Sequence, residues 1–105
     1  MQAQESTGTT IKMENYKASV AIIQEQLRSL KNFSGKLSGI SWDLFEFKFN
    51  NIMKTAPGLP ESLKLSFLYQ KLEGAPAELI RMNPEYQAMG FEELMNWLAL
   101  RYQSI

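Results

Sequence analysis

The side chains that could carry chemistry are few, because the 105-residue chain contains neither cysteine nor histidine. Disulfide frameworks, zinc fingers, thiol nucleophiles, serine–histidine triads and imidazole metal sites are therefore excluded together. Only carboxylates, lysines, tyrosines and hydroxyls remain. The composition predicts a protein that is not an enzyme and that needs no metal and no other cofactor.

Two pairs of carboxylates are the remaining candidates for acid–base or metal chemistry. Glu92 and Glu93 are adjacent, so on a helix they would point about 100° apart, and no third ligand follows at a useful spacing. Asp43 and Glu46 are one helical turn apart and would chelate only weakly. We interpret the first pair as favourable charges at a helix start and the second as part of a solvated face. The glycine-bearing loop 34–39 (SGKLSG) lacks the Gly-Lys-Ser/Thr sequence of a phosphate-binding loop, so we interpret it as a turn.

Charge and hydropathy restrict the partners. Eleven basic and eleven acidic residues cancel, so the segment has no general positive field for nucleic acid, and we expect no direct nucleic-acid binding by it. No apolar run approaches the ~20 residues of a membrane span, and residues 1–10 (MQAQESTGTT) lack the features of a signal peptide. We expect an intracellular, cytoplasmic protein without a membrane partner.

The elements that would position these residues are helices. After a flexible lead-in over 1–12, apolar residues recur at spacings of three and four across 13–31, which predicts an amphipathic helix with a heptad-like period. Ser41 is predicted to be the N-cap of a helix ending near Lys54, and Pro60 fits the first position of the next helix. Shorter patterns predict a helix over 75–82, stopped by Asn83-Pro84, and a last helix from Phe91 almost to Ile105. Together these patterns predict an all-α fold, namely a five-helix bundle with a helical domain over 32–105.

The predicted helices also specify a core. One contiguous cluster is expected from eight side chains, Trp42, Phe45, Phe49, Phe67, Leu68, Leu72, Leu94 and Leu98, and the helix over 75–82 should bury Leu79, Ile80 and Met82. Gly74 is expected to close the preceding helix in a left-handed conformation. The segment 31–41 is expected to be an ordered loop or a short hairpin.

Two features suggest contacts with other molecules. The stripe of the first helix contains Tyr16, Val20, Ile23, Leu27 and Leu30, and its period fits either a seam between copies of the chain or packing within the chain's own domain. Phe47 falls off the face defined by Trp42, Phe45 and Phe49, so it is free to meet another helix or a partner. Both features are candidates for self-association.

From Phe33 onward three residue patterns follow one another along the chain. The first is Phe33 and Gly35 followed by Trp42, Phe45 and Phe49. The second is a helix that contains Leu68 and Leu72 and ends in Gly74, and the third consists of Phe91, Leu94, Leu98 and Tyr102. In these patterns and their order the sequence resembles the Gag-like capsid domain of long-terminal-repeat retrotransposons of the Bel/Pao class and, more distantly, other such Gag proteins and their domesticated relatives.

The resemblance implies a capsid N-terminal-type lobe preceded by an amphipathic, oligomerising helix. Its implied function is that of a non-enzymatic building block whose copies associate through helix–helix contacts into a homo-oligomer, a dimer or a capsid-like shell. The alternative is a domesticated helical adaptor that binds a peptide or helix of another protein in an apolar groove. One sequence does not separate these two kinds of partner.

Overall fold

The computed structural model describes residues 17–36 and 39–103. Within these ranges the chain forms six helices: α1 over 17–28, α2 Trp42–Lys54, α3 Glu61–Lys71, α4 Gly74–Met82, α5 Pro84–Gln87 and α6 Phe91–Tyr102. No strand forms in the described part of the chain. The predicted all-α class is confirmed, whereas the predicted lead-in over 1–12 and the predicted helix start at Met13 lie outside the described residues.

Helix α2 begins and ends as its sequence predicts. Its N-cap is Ser41, whose Oγ accepts a hydrogen bond from the Leu44 backbone N–H at 3.2 Å. Asp43 in the first turn and Lys54 in the last turn oppose the partial charges of the helix dipole. The same helix directs Trp42, Phe45, Phe49 and Met53 toward the interior, and it is the main aromatic element of the core.

A short backbone clamp joins the segment after α1 to the junction between α3 and α4. The Phe33 N–H donates to the Lys71 carbonyl at 2.8 Å, and the Phe33 carbonyl accepts from the Glu73 N–H at 3.0 Å. These bonds make an isolated parallel bridge between Phe33 and Leu72. The described residues of the loop after α1 therefore form an ordered connection with one bridge, and they do not form the hairpin considered above.

Because of this clamp, Gly74 has a different place relative to the helices from the one that the sequence predicts. Its φ of 65° confirms the predicted left-handed conformation, but the residue begins α4 and does not close α3, because Leu72 and Glu73 are held extended. A Cβ at this position would lie 3.3 Å from the Cβ of Ser34. Glycine therefore serves both the turn and the close approach. Pro60 is similarly displaced by one position, since it is the N-cap of α3 and Glu61 is the first helical residue.

The segment between α4 and α6 is more regular than the sequence predicts. The segment after Asn83, where the sequence predicts only a helix stop, contains the four-residue helix α5, which begins with Pro84. The Asn83 side-chain amide donates to the Leu79 carbonyl at 2.7 Å, and the Gln87 amide donates to the Arg81 carbonyl at 2.8 Å. These two side chains satisfy carbonyl groups that the end of α4 leaves without helical partners.

One apolar core connects five of the helices. It contains all eight side chains of the predicted cluster and adds Ile23, Leu27 and Leu30 from α1 and the segment that follows it. Aromatic rings run through it in sequence: the Trp42 and Phe45 centroids are 5.5 Å apart, those of Phe45 and Phe49 5.7 Å apart, and those of Phe49 and Phe91 6.1 Å apart. The helix α1 thus packs on the rest of the chain.

The prediction that α4 buries Met82 is wrong. Its side chain is 72% exposed, whereas Ile80 and Pro76 are buried on the inner face and Leu79 is half-buried. Met82 is the last residue of α4, just before the chain turns into α5, so its side chain lies beyond the packed face. None of the helices in the described ranges is both long and apolar enough to cross a membrane.

Candidate functional site

The structure places the stripe of the first helix mostly inside the chain's own core. Ile23, Leu27 and Leu30 are at most 4% exposed, and Val20 is half-buried against the same cluster. Tyr16, the remaining member, lies outside the described residues. Three of the five residues predicted to associate between copies are therefore covered by their own chain in this conformation. Ile22, at 57% exposure, points away from the stripe.

The residues that carry the family resemblance lie in the core and its turns. Ten of the twelve are buried: Phe33, Gly35, Trp42, Phe45, Phe49, Leu68, Leu72, Phe91, Leu94 and Leu98. Tyr102 is half-buried with its ring centroid 5.2 Å from that of Phe33, and Gly74 is exposed at the turn. These residues shape the domain, so a surface for partners has to be sought among other side chains.

The outer face of α2 carries two exposed apolar side chains, which we call the α2 patch: Leu44 and Phe47. They are 44% and 64% exposed, and their spacing of three residues places them side by side on the helix. The sequence prediction that Phe47 leaves the core face is confirmed. A phenylalanine so exposed leaves much of its apolar surface in water, and contact with another apolar surface would remove that cost.

Polar residues continue the patch along one side of α2. Asp43, Phe47, Asn50 and Lys54 follow one another at intervals of four, three and four residues, so they form a single row, which we call the α2 stripe. The row runs from an acidic end to a basic end. Neither Asp43 nor Lys54 makes a salt bridge within the described residues, where the two ion pairs are Arg28–Glu25 and Arg81–Glu78.

Beside the α2 stripe lies a depression between α2 and α6, the α2–α6 groove, with a volume of about 410 Å³. Asn50 and Lys54 stand on its α2 side. Its lining includes Met53, Phe91 and Met95, which are 4–6% exposed and are therefore nearly covered by their neighbours. The Lys64 ammonium lies 5.7 Å from the centroid of the Phe91 ring. The apolar lining is thus reached from the same side of α2 that carries Phe47.

A second depression, the α3–α4 groove, has a volume of about 380 Å³. It is lined by Tyr69, Leu72, Ala77, Ile80, Arg81 and Gln87. The Arg81 guanidinium is held by both Glu78 carboxylate oxygens at 2.6 Å, and this hydrogen bonding raises the pKa of Arg81. The charge of Arg81 is thus paired with Glu78. The rest of the lining is mainly apolar, so the groove is suited to an apolar side chain.

The carboxylates singled out from the sequence are not brought together as a reactive site. Asp43 and Glu93 are exposed, while Glu46 and Glu92 stand at the α2–α6 groove with Lys54 and Lys64. Across the described residues, no three acidic groups are placed to hold a metal ion. Burial lowers the pKa of Lys71, and the nearby Glu73 carboxylate partly offsets this effect. Lys71 is the last residue of α3, and its carbonyl is part of the backbone clamp, so this pKa shift arises at that junction.

Sequence reasoning missed two of these surface features. It did not single out Leu44, although an apolar residue three positions before Phe47 is the signal that the outer face is more than one side chain wide. It also missed the α3–α4 groove, because Gln87 reaches that groove only through α5. A proline after Asn83 predicts a helix stop, yet a proline is equally suited to the first position of a new helix.

Comparison with protein-family models, with curated proteins and with solved structures gives no match for this chain.

Proposed function

We propose that this chain is a non-enzymatic, capsid-type structural module whose copies self-associate through helix–helix contacts at the α2 patch. The observation that carries the proposal is the 64% exposure of Phe47 on a helix whose opposite face is fully engaged in the core. An aromatic side chain on a rigid, well-anchored helix is the kind of residue that dominates protein interfaces. The module works inside the cell, in the cytoplasm, as the resemblance to Gag proteins implies.

The energetics favour a contact made by α2. Burying one large apolar side chain contributes ~1.5 to 3 kcal/mol before the cost of association is subtracted. A contact between two copies buries Phe47 twice, and Leu44 widens the apolar area. The helix itself loses little freedom on association, because Trp42, Phe45 and Phe49 on its other face already fix it to the core.

In this proposal the first helix has a supporting role. Its side chains Ile23 and Leu27 stabilise the domain from inside, and the α2 patch makes the contact between copies. This division of roles matches a building block that must fold before it assembles. This contact joins two copies, and a larger shell requires at least one further contact between the pairs so formed.

The test is solution mass against concentration, measured by sedimentation, for the unmodified chain and for Phe47→Gln. Glutamine is polar, uncharged and a good helix former, so it removes the aromatic contact and leaves α2 intact. We expect the mass of the unmodified chain to rise with concentration. Phe47→Gln should weaken the association at least ~100-fold, since the loss occurs once in each copy.

A matched control is Leu100→Gln. Leu100 is 79% exposed on α6, outside the α2 patch, so its replacement removes a comparable exposed apolar group without touching the proposed contact. It should associate as the unmodified chain does. An unmodified chain that stays monomeric up to millimolar concentration, or a Phe47→Gln variant that associates as strongly as the unmodified chain, contradicts the proposal.

The second candidate is an adaptor that binds an apolar helix or peptide of another protein in the α3–α4 groove. The groove has the volume of a small binding site and an apolar floor, with the one charge on its rim already paired. An amphipathic model helix of leucine and lysine is a suitable probe. Binding that is lost in Ala77→Arg and retained in Phe47→Gln would favour this function, whereas equal binding by all variants would exclude it.

A further inference from the structure

We infer that two copies of the chain pair through an antiparallel α2–α2 contact around a two-fold axis, with Asp43 of each copy facing Lys54 of the other. This inference rests on the proposed function and adds to it the geometry and closure of the contact. It follows from the order of residues in the α2 stripe, which is acidic, aromatic, amide and basic from the start of the helix to its end.

The spacing of the α2 stripe suits a two-fold pairing. Asp43 and Lys54 are eleven residues apart, which is close to three helical turns and about 16.5 Å along the axis. A two-fold axis at the midpoint of the stripe places Asp43 of one copy opposite Lys54 of the other copy. It likewise places Phe47 of each copy opposite Asn50 of the other. Both charged ends therefore meet their opposites in the same arrangement that places each phenylalanine beside the other copy's asparagine.

Electrostatics select the antiparallel direction. A parallel pair in register would place Asp43 against Asp43 and Lys54 against Lys54, and it would bring like ends of the helix dipoles together. The antiparallel pair brings opposite charges and opposite dipole ends together at both ends of the contact. Asp43 and Lys54 are exposed and make no salt bridge among the described residues, so neither has to leave an ion pair seen there.

The α2–α6 groove gives each Phe47 a depression to enter, whose lining combines charged side chains with apolar residues that their own neighbours nearly cover. Asn50 stands on the α2 side of that groove, and Phe47 of the other copy lies against Asn50 in the inferred pairing. Its ring is then directed toward the side of the groove lined by Met53, Phe91 and Met95. The contact is isologous, because each copy offers one phenylalanine and one groove, and it therefore closes at two copies.

Charge exchange tests the pairing. Asp43→Lys alone should bring two lysines together at each end and weaken dimerisation about tenfold at low salt, and Lys54→Asp alone should do the same with two carboxylates. An equimolar mixture of the two variants should regain the affinity of the unmodified chain, since every facing pair is again opposite in charge. The losses should shrink at 1 M salt. Lys48→Asp, a charge reversal off the stripe, is the control and should have a smaller effect.

Cysteine cross-linking provides a second measurement that does not depend on small differences in affinity. The chain contains no cysteine, so introduced thiols report only on their own positions. A mixture of Asp43→Cys and Lys54→Cys should give an oxidised heterodimer, because facing residues come within the ~7 Å between Cα atoms that a disulfide needs. Each variant alone should cross-link far less. Circular dichroism of each variant verifies that the helices persist.

The outcomes separate this inference from the function on which it rests. If Phe47→Gln is monomeric but the mixture of charge variants regains no affinity and the mixed cysteines do not cross-link, the antiparallel pairing is overturned and self-association at the α2 patch stands. Cross-linking of Asp43→Cys with itself would overturn it in favour of a parallel pair. If Phe47→Gln associates like the unmodified chain, both proposals fall.

Discussion

Replacing Ile23 by alanine provides the sharpest test of where the first helix packs. Ile23 is fully buried, whereas its neighbour Ile22 is 57% exposed on the same helix. The two positions share residue type, helix and near-identical distance from the helix ends. The difference between Ile23→Ala and Ile22→Ala therefore isolates burial, because the gain in helix propensity on changing isoleucine to alanine is common to both.

The magnitude follows from burial. Truncating a fully buried isoleucine to alanine costs ~2 to 5 kcal/mol, made up of lost apolar transfer and the cavity left behind. Truncating a mostly exposed isoleucine changes the stability by no more than about 0.5 kcal/mol. A domain of this size holds ~5 to 15 kcal/mol in total, so Ile23→Ala removes a large fraction of the stability. The expected fall in melting temperature is ~8 to 40 °C for Ile23→Ala and no more than about 4 °C for Ile22→Ala.

The assay is urea unfolding followed by circular dichroism at a low protein concentration, which separates folding from association. Equal, small changes for Ile22→Ala and Ile23→Ala would refute the intramolecular packing of α1. The stripe containing Ile23 and Leu27 would then be available to other copies of the chain. A large loss confined to Ile23→Ala assigns the stripe to the core, which is the arrangement that the proposed assembly through the α2 patch requires.

Three further outcomes follow from the fold. Gly74→Ala should lower the free energy of unfolding by ~1 to 2 kcal/mol because of the left-handed backbone, and by more because of the close approach to Ser34. Gly58 has a φ of 89° and no atom within 4 Å of an added Cβ, so Gly58→Ala should show the backbone cost alone. Urea unfolding of the two variants measures the difference. Trp42→Ala should cost ~3 to 5 kcal/mol, and an unchanged thermal melt would contradict its place in the core. A chelator should leave the thermal melt unmoved, and a shift of several degrees would reveal a metal requirement.

The helices that could be predicted are those whose boundaries are fixed locally. Ser41, Asp43 and Lys54 mark the limits of α2 by capping and dipole effects that act within one turn, so the sequence contains the whole signal. Helix α4 begins at Gly74, one residue before the predicted start, because the cause of its start is not local. The Phe33 bridge, formed with residues about forty positions away, holds the chain extended before Gly74. Such a pairing leaves no periodic trace in the sequence.

The candidate site was harder to predict, because periodicity reports an apolar face without reporting what covers it. The stripe with Ile23 and Leu27 fits a seam between copies as well as it fits a seam within one chain. Its regular spacing is a property of any helix that buries one side. Only the position of the other helices decides between the two, and in the described structure they cover the stripe.

An apolar face that is left over once the core face is assigned is a better guide to association. Helix α2 has apolar residues on two sides, and one helix can turn only one of them toward its own core. Trp42, Phe45 and Phe49 have the larger combined area and take the interior, so Leu44 and Phe47 are necessarily outside. The spacing of Phe47 along the helix, which places it off the face of Trp42, Phe45 and Phe49, already indicates this in the sequence. A second apolar face on a helix that is anchored through its first therefore points to a partner, and the charge order of the α2 stripe points to a second copy of the same helix.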